Sequence, residues 1–241
     1  MVNKKLRKCI PGDDWEIKEI IHKHNGMIES EYYYKGVPAI KIPLEGNVPI
    51  KMAGYTLLKQ DLELILYWLQ MVTDEHKKMG LNKVKQTVVH ITPKELRENI
   101  YYIKAMMVAS FSFYGKLFTR ADGRKIKLEE NVFNNSMELL QIHKEVMSLR
   151  HNFVAHSGKE RIEYVEVSLL LDSIRERNTL PLIARVMNQP NVFTNKFLDN
   201  FKYICNYLLE KVDSKIELLT QKYYSNLTHE RINMFYEIAK T

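Results

Sequence analysis

Residues 149–158 read LRHNFVAHSG. Arg150 offers a planar fork of donors that suits a carboxylate or a phosphate. His151 and His156 change charge near neutral pH and can move protons. Asn152 and Ser157 can donate and accept hydrogen bonds, and His143 lies two turns upstream. At 3.6 residues per turn, Leu139, Ile142, Val146, Leu149 and Phe153 make one apolar strip, and Leu140, Met147 and Val154 make a second. Arg150 and His143 fall between the strips, inside one wide apolar arc. His156 falls at the edge of that arc beside Asn152, and His151 falls on the far side with Lys144 and Ser148. An unpartnered guanidinium is costly to bury. Three arrangements relieve it: an internal ion pair with a carboxylate, a cleft shared with another subunit, or a bound anion such as phosphate. For His156 the plain alternative is a helix C-terminal histidine, with Ser157-Gly158 as the ending. For His143 it is a satisfied core histidine.

These residues need long helices to hold them, and the chain supplies four helical patterns. The first covers about 56–79, with Leu58, Leu62, Ile65, Leu66, Leu69 and Val72 on one face and Gly80 beyond a lysine-rich last turn. The second covers about 93–118 and opens on Thr92-Pro93, a cap and first-turn pair. The third covers about 128–157 and carries the motif. The fourth runs from after NQPNVFTN to about 224 on Phe197, Phe201, Ile204, Leu208, Val212 and Ile216, and a short fifth helix follows Thr228. Between the third and fourth, β-branched alternation predicts a strand or a hairpin at about 161–190, turning near Arg175–Asn178. Upstream, residues 1–52 read as an arm: a short helix near Trp15–His24, then a tyrosine-rich β-hairpin or extended segment with a Lys35-Gly36 turn. Prolines 38, 43 and 49 argue against helix there. The expected fold is an all-α, up-and-down helical bundle over 53–241 with a small β-hairpin insertion and an N-terminal β or extended arm.

The chain has 241 residues, 45% of them hydrophobic and 27% charged, enough to bury a sizeable core. A net charge of +7 is compatible with a phosphate-bearing partner without requiring one. Cys9 and Cys205 lack the spacing of a disulfide framework or a zinc site, so a reducing, cytoplasmic setting fits best. The basic start has no apolar core of a secretory signal, and no apolar run is long enough for a membrane span. His22 and His24 form an HxH that helical geometry sends to opposed sides, so no metal and no cofactor is expected. The tyrosines of EYYYKG either stack bases or pack on the bundle. The basic stretches NKKLRK and GRKIK are solvated faces or contacts to an RNA backbone.

The segment RHNFVAH resembles the R-x4-6-H motif of the HEPN superfamily (higher eukaryotes and prokaryotes nucleotide-binding domains), with Arg150, a five-residue spacer and His156. His151 stands where that family usually has Asn, Asp or His. The resemblance covers roughly 55–225. It implies a metal-independent endoribonuclease, working as a two-fold homodimer through the motif helix with both motifs facing one cleft. In that reading His156 is general acid and base for attack by the RNA 2′-OH, and Arg150 clamps the scissile phosphate. Asn152 orients the ring or binds substrate, His151 is a weaker catalytic candidate, and His143 and Ser157 are substrate-binding candidates. A 2′,3′-cyclic phosphate is the implied product. A toxin or anti-phage (abortive-infection) role, with an antitoxin as possible partner, is implied by the family alone. The alternative is a non-catalytic HEPN-like module that binds nucleotide, RNA or a protein.

Overall fold

The computed structural model describes residues 6–8, 14–22, 27–80, 94–155, 164–173, 180–188 and 193–239. The chain forms two compact units, one of residues 47–221 and one of 1–46 together with 222–241. The sequence reading divided it instead at residue 52 and kept 222–241 with the bundle.

The larger unit is helical. Helix α1 spans Asn47–Lys78, α2 Lys94–Leu117, α3 Met137–Leu149 and α4 Asn195–Ser225. Each carries apolar residues three and four apart, and these strips close one core: Leu58, Leu62 and Ile65 of α1, Met107, Phe111 and Tyr114 of α2, Ile142 and Val146 of α3, Phe201 and Leu208 of α4. Met71 meets Tyr102 while Asp61 meets Lys116, so α2 runs against α1. Lys59 meets Asp213 while Thr73 meets Lys202, so α4 also runs against α1. Both α2 and α4 thus run against α1 in a helical bundle.

Two helix starts differ from the sequence reading. Helix α1 begins nine residues before position 56, at Asn47. Pro49 lies in its first turn, where a backbone N–H has no intrahelical acceptor to lose. The third helical pattern is broken near its start. A 3-10 turn at Glu130–Phe133 comes first, and α3 then starts afresh at Met137, where the Ser136 side chain accepts from the Leu139 N–H. The Thr92-Pro93 cap lies outside the described residues. Strands β5 (Tyr164–Leu170) and β6 (Leu182–Asn188) pair antiparallel as the expected hairpin, whose turn residues are likewise outside the description.

In the smaller unit the predicted helix near Trp15–His24 is a strand instead. Strands β1 (Leu6–Lys8), β2 (Trp15–Ile21), β3 (Ile28–Tyr34) and β4 (Val37–Pro38) form an antiparallel sheet in that order. Pairing Trp15 with Tyr34 and Ile17 with Tyr32 gathers apolar side chains on one face. Lys18 opposite Glu31 lies on the other. That two-sided fit overrides the weak helical signal of WEIKEII. Lys35 and Gly36 turn β3 into β4 with φ of 49° and 77°, the doubly positive pair of a tight hairpin. Helix α5 (His229–Ile238) starts after Thr228, whose hydroxyl accepts from the Arg231 N–H.

Candidate functional site

Helix α3 ends at Leu149, and the chain then widens into a π-helical turn over Arg150–Ala155. Such single wide turns interrupt regular helices and are frequent at functional sites. Each residue turns through less than the α-helical angle here, so the spacing of 3.6 residues per turn holds from Met137 only as far as Arg150.

Arg150 is half-buried, and its backbone N–H donates to the Val146 and Met147 carbonyls. Its side chain lies across α2 at Gly115. A methyl group placed on Gly115 would sit 2.7 Å from Arg150 Nε and 3.0 Å from Cδ. Gly115 lies in the last turn of α2, and a glycine within a helix costs up to roughly 1 kcal/mol relative to alanine. Here its bare backbone leaves the groove that the arginine stem occupies. Among the described residues, no carboxylate lies within ion-pair distance of Arg150. An internal ion pair, one of the three ways to accommodate this arginine, is therefore not seen there.

His151 is exposed, and Asn152 is half-buried with its Nδ2 donating to Ser148 Oγ at 3.2 Å. The structure thus keeps Arg150, His151 and Asn152 together at the helix end. His156 and Ser157 lie outside the described residues.

His143 does not join them as a substrate contact; it is a core residue, 2% exposed. Its ring lies among Phe118, Phe133 and Tyr114, with centroids 4.5, 5.0 and 5.8 Å away. Nδ1 is 2.9 Å from the Tyr114 hydroxyl, and Nε2 is 3.6 Å from the Glu130 carboxylate. Burial holds the Tyr114 phenol well above its ordinary range, so it is neutral and can donate to Nδ1. The nearby carboxylate favours the proton on Nε2. Burial lowers the His143 pKa, with Glu130 opposing, so the ring is neutral at pH 7. The apolar arc around His143 is aromatic core, the plain alternative for that residue.

A second charged cluster escaped the sequence reading. Asp61 is buried on the core strip of α1, between Leu58 and Leu62. Arg124, also buried, donates from Nη1 to Asp61 Oδ2 at 3.1 Å, and Lys116 Nζ donates to Oδ1 at 2.9 Å. The remaining Arg124 donors reach the carbonyls of Thr119 at 3.1 Å, Ile126 at 3.0 Å, and Lys116. Lys116 and Thr119 lie at the end of α2, where carbonyls lack helical partners. Arg124, first read within the basic stretch GRKIK as surface, therefore caps a helix and ties the following loop to α1. The signal was available: a carboxylate on an apolar strip requires a buried cation.

Among the described residues, no helix is long and apolar enough to cross a membrane. No family model, no curated protein and no solved structure matches the chain. The functional reading therefore rests on these residues and their geometry.

Proposed function

We propose that the chain is a metal-independent endoribonuclease of HEPN type that acts in the cytoplasm. Two copies meet through the motif helix, and RNA is cut by its own 2′-OH in the shared cleft. The observation that carries this reading is Arg150. It is a half-buried guanidinium, laid in a groove at Gly115, with no anionic partner among the described residues. A phosphate in line with that fork would satisfy it, and the neighbouring Asn152 and His151 add donors. In this proposal His156 moves the proton, Arg150 holds the scissile phosphate, and Asn152 orients the ring or the substrate. A toxin or anti-phage role, with an antitoxin holding the protein silent, belongs to the same proposal.

The test is cleavage of single-stranded RNA by the purified chain in EDTA. The expected products end in a 2′,3′-cyclic phosphate, and DNA of the same sequence stays intact. His156→Ala is expected to slow cleavage by roughly 10²–10⁴-fold while leaving the melting temperature unchanged. Cleavage at the wild-type rate in that variant removes the assignment. Saturable RNA binding without turnover, lost in Arg150→Ala, selects the non-catalytic alternative.

A further inference from the structure

In the smaller unit none of the described residues of 14–46 and 222–239 is buried; the buried ones lie in 47–221. Yet the apolar side chains of the smaller unit are not scattered. Trp15 and Tyr34 stand opposite each other on one sheet face, their ring centroids 5.0 Å apart. Ile232, Phe235 and Tyr236 follow helical spacing on α5. Both sets, with Ile40 of the extended segment, line one open cleft of about 690 Å³. The rings and chains around it remain exposed: Trp15 40%, Tyr34 44%, Ile40 59% and Tyr236 57%.

A contiguous apolar surface left open in this way marks a place where something binds. The hollow is concave, and its volume falls within the roughly 300–1,000 Å³ of small-molecule sites. Among the described residues, Lys35 is the only charged one in the lining. Its Nζ lies 5.5 Å from the Tyr34 ring centroid and 3.3 Å from the Asp14 carboxylate. Both members of that ion pair are well exposed, so it is weak and exchangeable. An occupant that matches this lining is apolar along its body and carries one anionic group at one end.

We propose that this cleft binds a small amphiphilic carboxylate, with an acyl chain against Trp15, Ile40 and Phe235 and the carboxylate at Lys35. The inference does not depend on RNA cleavage and can hold or fail separately. The experiment is calorimetric titration of the full chain with dodecanoate below its micelle concentration. Saturable binding of one molecule per chain is expected, with a negative heat-capacity change. Ile40→Asp and Tyr236→Asp, both at exposed positions, are each expected to weaken it at least tenfold. Lys35→Glu is expected to reverse the preference between dodecanoate and dodecyltrimethylammonium. Far-UV circular dichroism confirms that each variant is folded; if an Asp variant is not, the Lys35→Glu preference decides alone. Three results overturn the proposal: no binding of monomeric dodecanoate, equal binding by a folded Ile40→Asp, or binding only to phosphatidylglycerol vesicles. A wild-type dimer that Ile40→Asp splits into monomers also overturns it, because the cleft would then be a contact between copies.

Discussion

Gly115 allows the placement of Arg150 to be probed without touching Arg150. A methyl group there would meet Nε at 2.7 Å and the stem carbons Cδ and Cγ at 3.0 and 3.2 Å, so the arginine side chain would have to shift in its groove. Gly115→Ala is therefore expected to keep or slightly raise the melting temperature, since alanine favours helix by roughly 1 kcal/mol. RNA affinity should fall by roughly tenfold, equivalent to about 1.4 kcal/mol. Unchanged affinity, measured by fluorescence anisotropy, means that the position of the arginine over α2 is unimportant. Arg150 stood out at this scale, because an arginine within an apolar arc is anomalous on any helical wheel. What it lies against was not legible. Gly115 is 35 residues away, and nothing local in FSFYGKLF announces that an arginine crosses it.

Among the elements, the long helices of the bundle were readable because their burial follows the period of the helix. Leu58, Leu62, Ile65, Leu69 and Val72 are all fully buried, as their spacing required. The misreadings came where a local rule met a tertiary partner. WEIKEII became a strand because β1 and β3 flank it, and the third helical pattern was interrupted where Ser136 caps a new start. Asp61 and Arg124 make the strongest prediction at this scale. Arg124→Ala leaves the Asp61 carboxylate buried with only Lys116 among the described residues, and removes the guanidinium bonds to the Lys116 and Thr119 carbonyls. Breaking a buried pair in this way costs about 3–5 kcal/mol, to be read from urea denaturation. Asp61→Asn keeps the shape and some hydrogen bonding, and should cost less. A loss below about 1 kcal/mol in Arg124→Ala would put the pair among weak surface contacts.

For the whole molecule, the distribution of burial predicts uneven stability. With none of the described residues of 14–46 and 222–239 buried, amides of β2 and β3 should exchange with solvent well before those of α1 and α4. Equal protection in both would contradict that. The larger unit should also weaken in mild acid. Burial lowers the pKa of both His76 and His143 from the ordinary 6.5; the Asn195 side chain opposes this at His76, and Glu130 at His143. Well above pH 6.5 the histidines are neutral folded or unfolded and contribute nothing to the pH dependence. Below it the unfolded chain takes up protons first, so stability falls as pH falls. The urea midpoint should drop between pH 7 and 5, and His76→Gln should flatten that drop. An identical slope in the variant assigns the effect elsewhere.

The smaller unit is assembled from both ends of the chain, residues 1–46 and 222–241, and its sheet and α5 border the same cleft. A ribosome releases the sheet before α5. Throughout synthesis of the bundle, Trp15 and Tyr34 must therefore wait without the helix that faces them. A released chain truncated after Asn226 should keep all of α4 but leave the sheet without α5, the species on which chaperones would act.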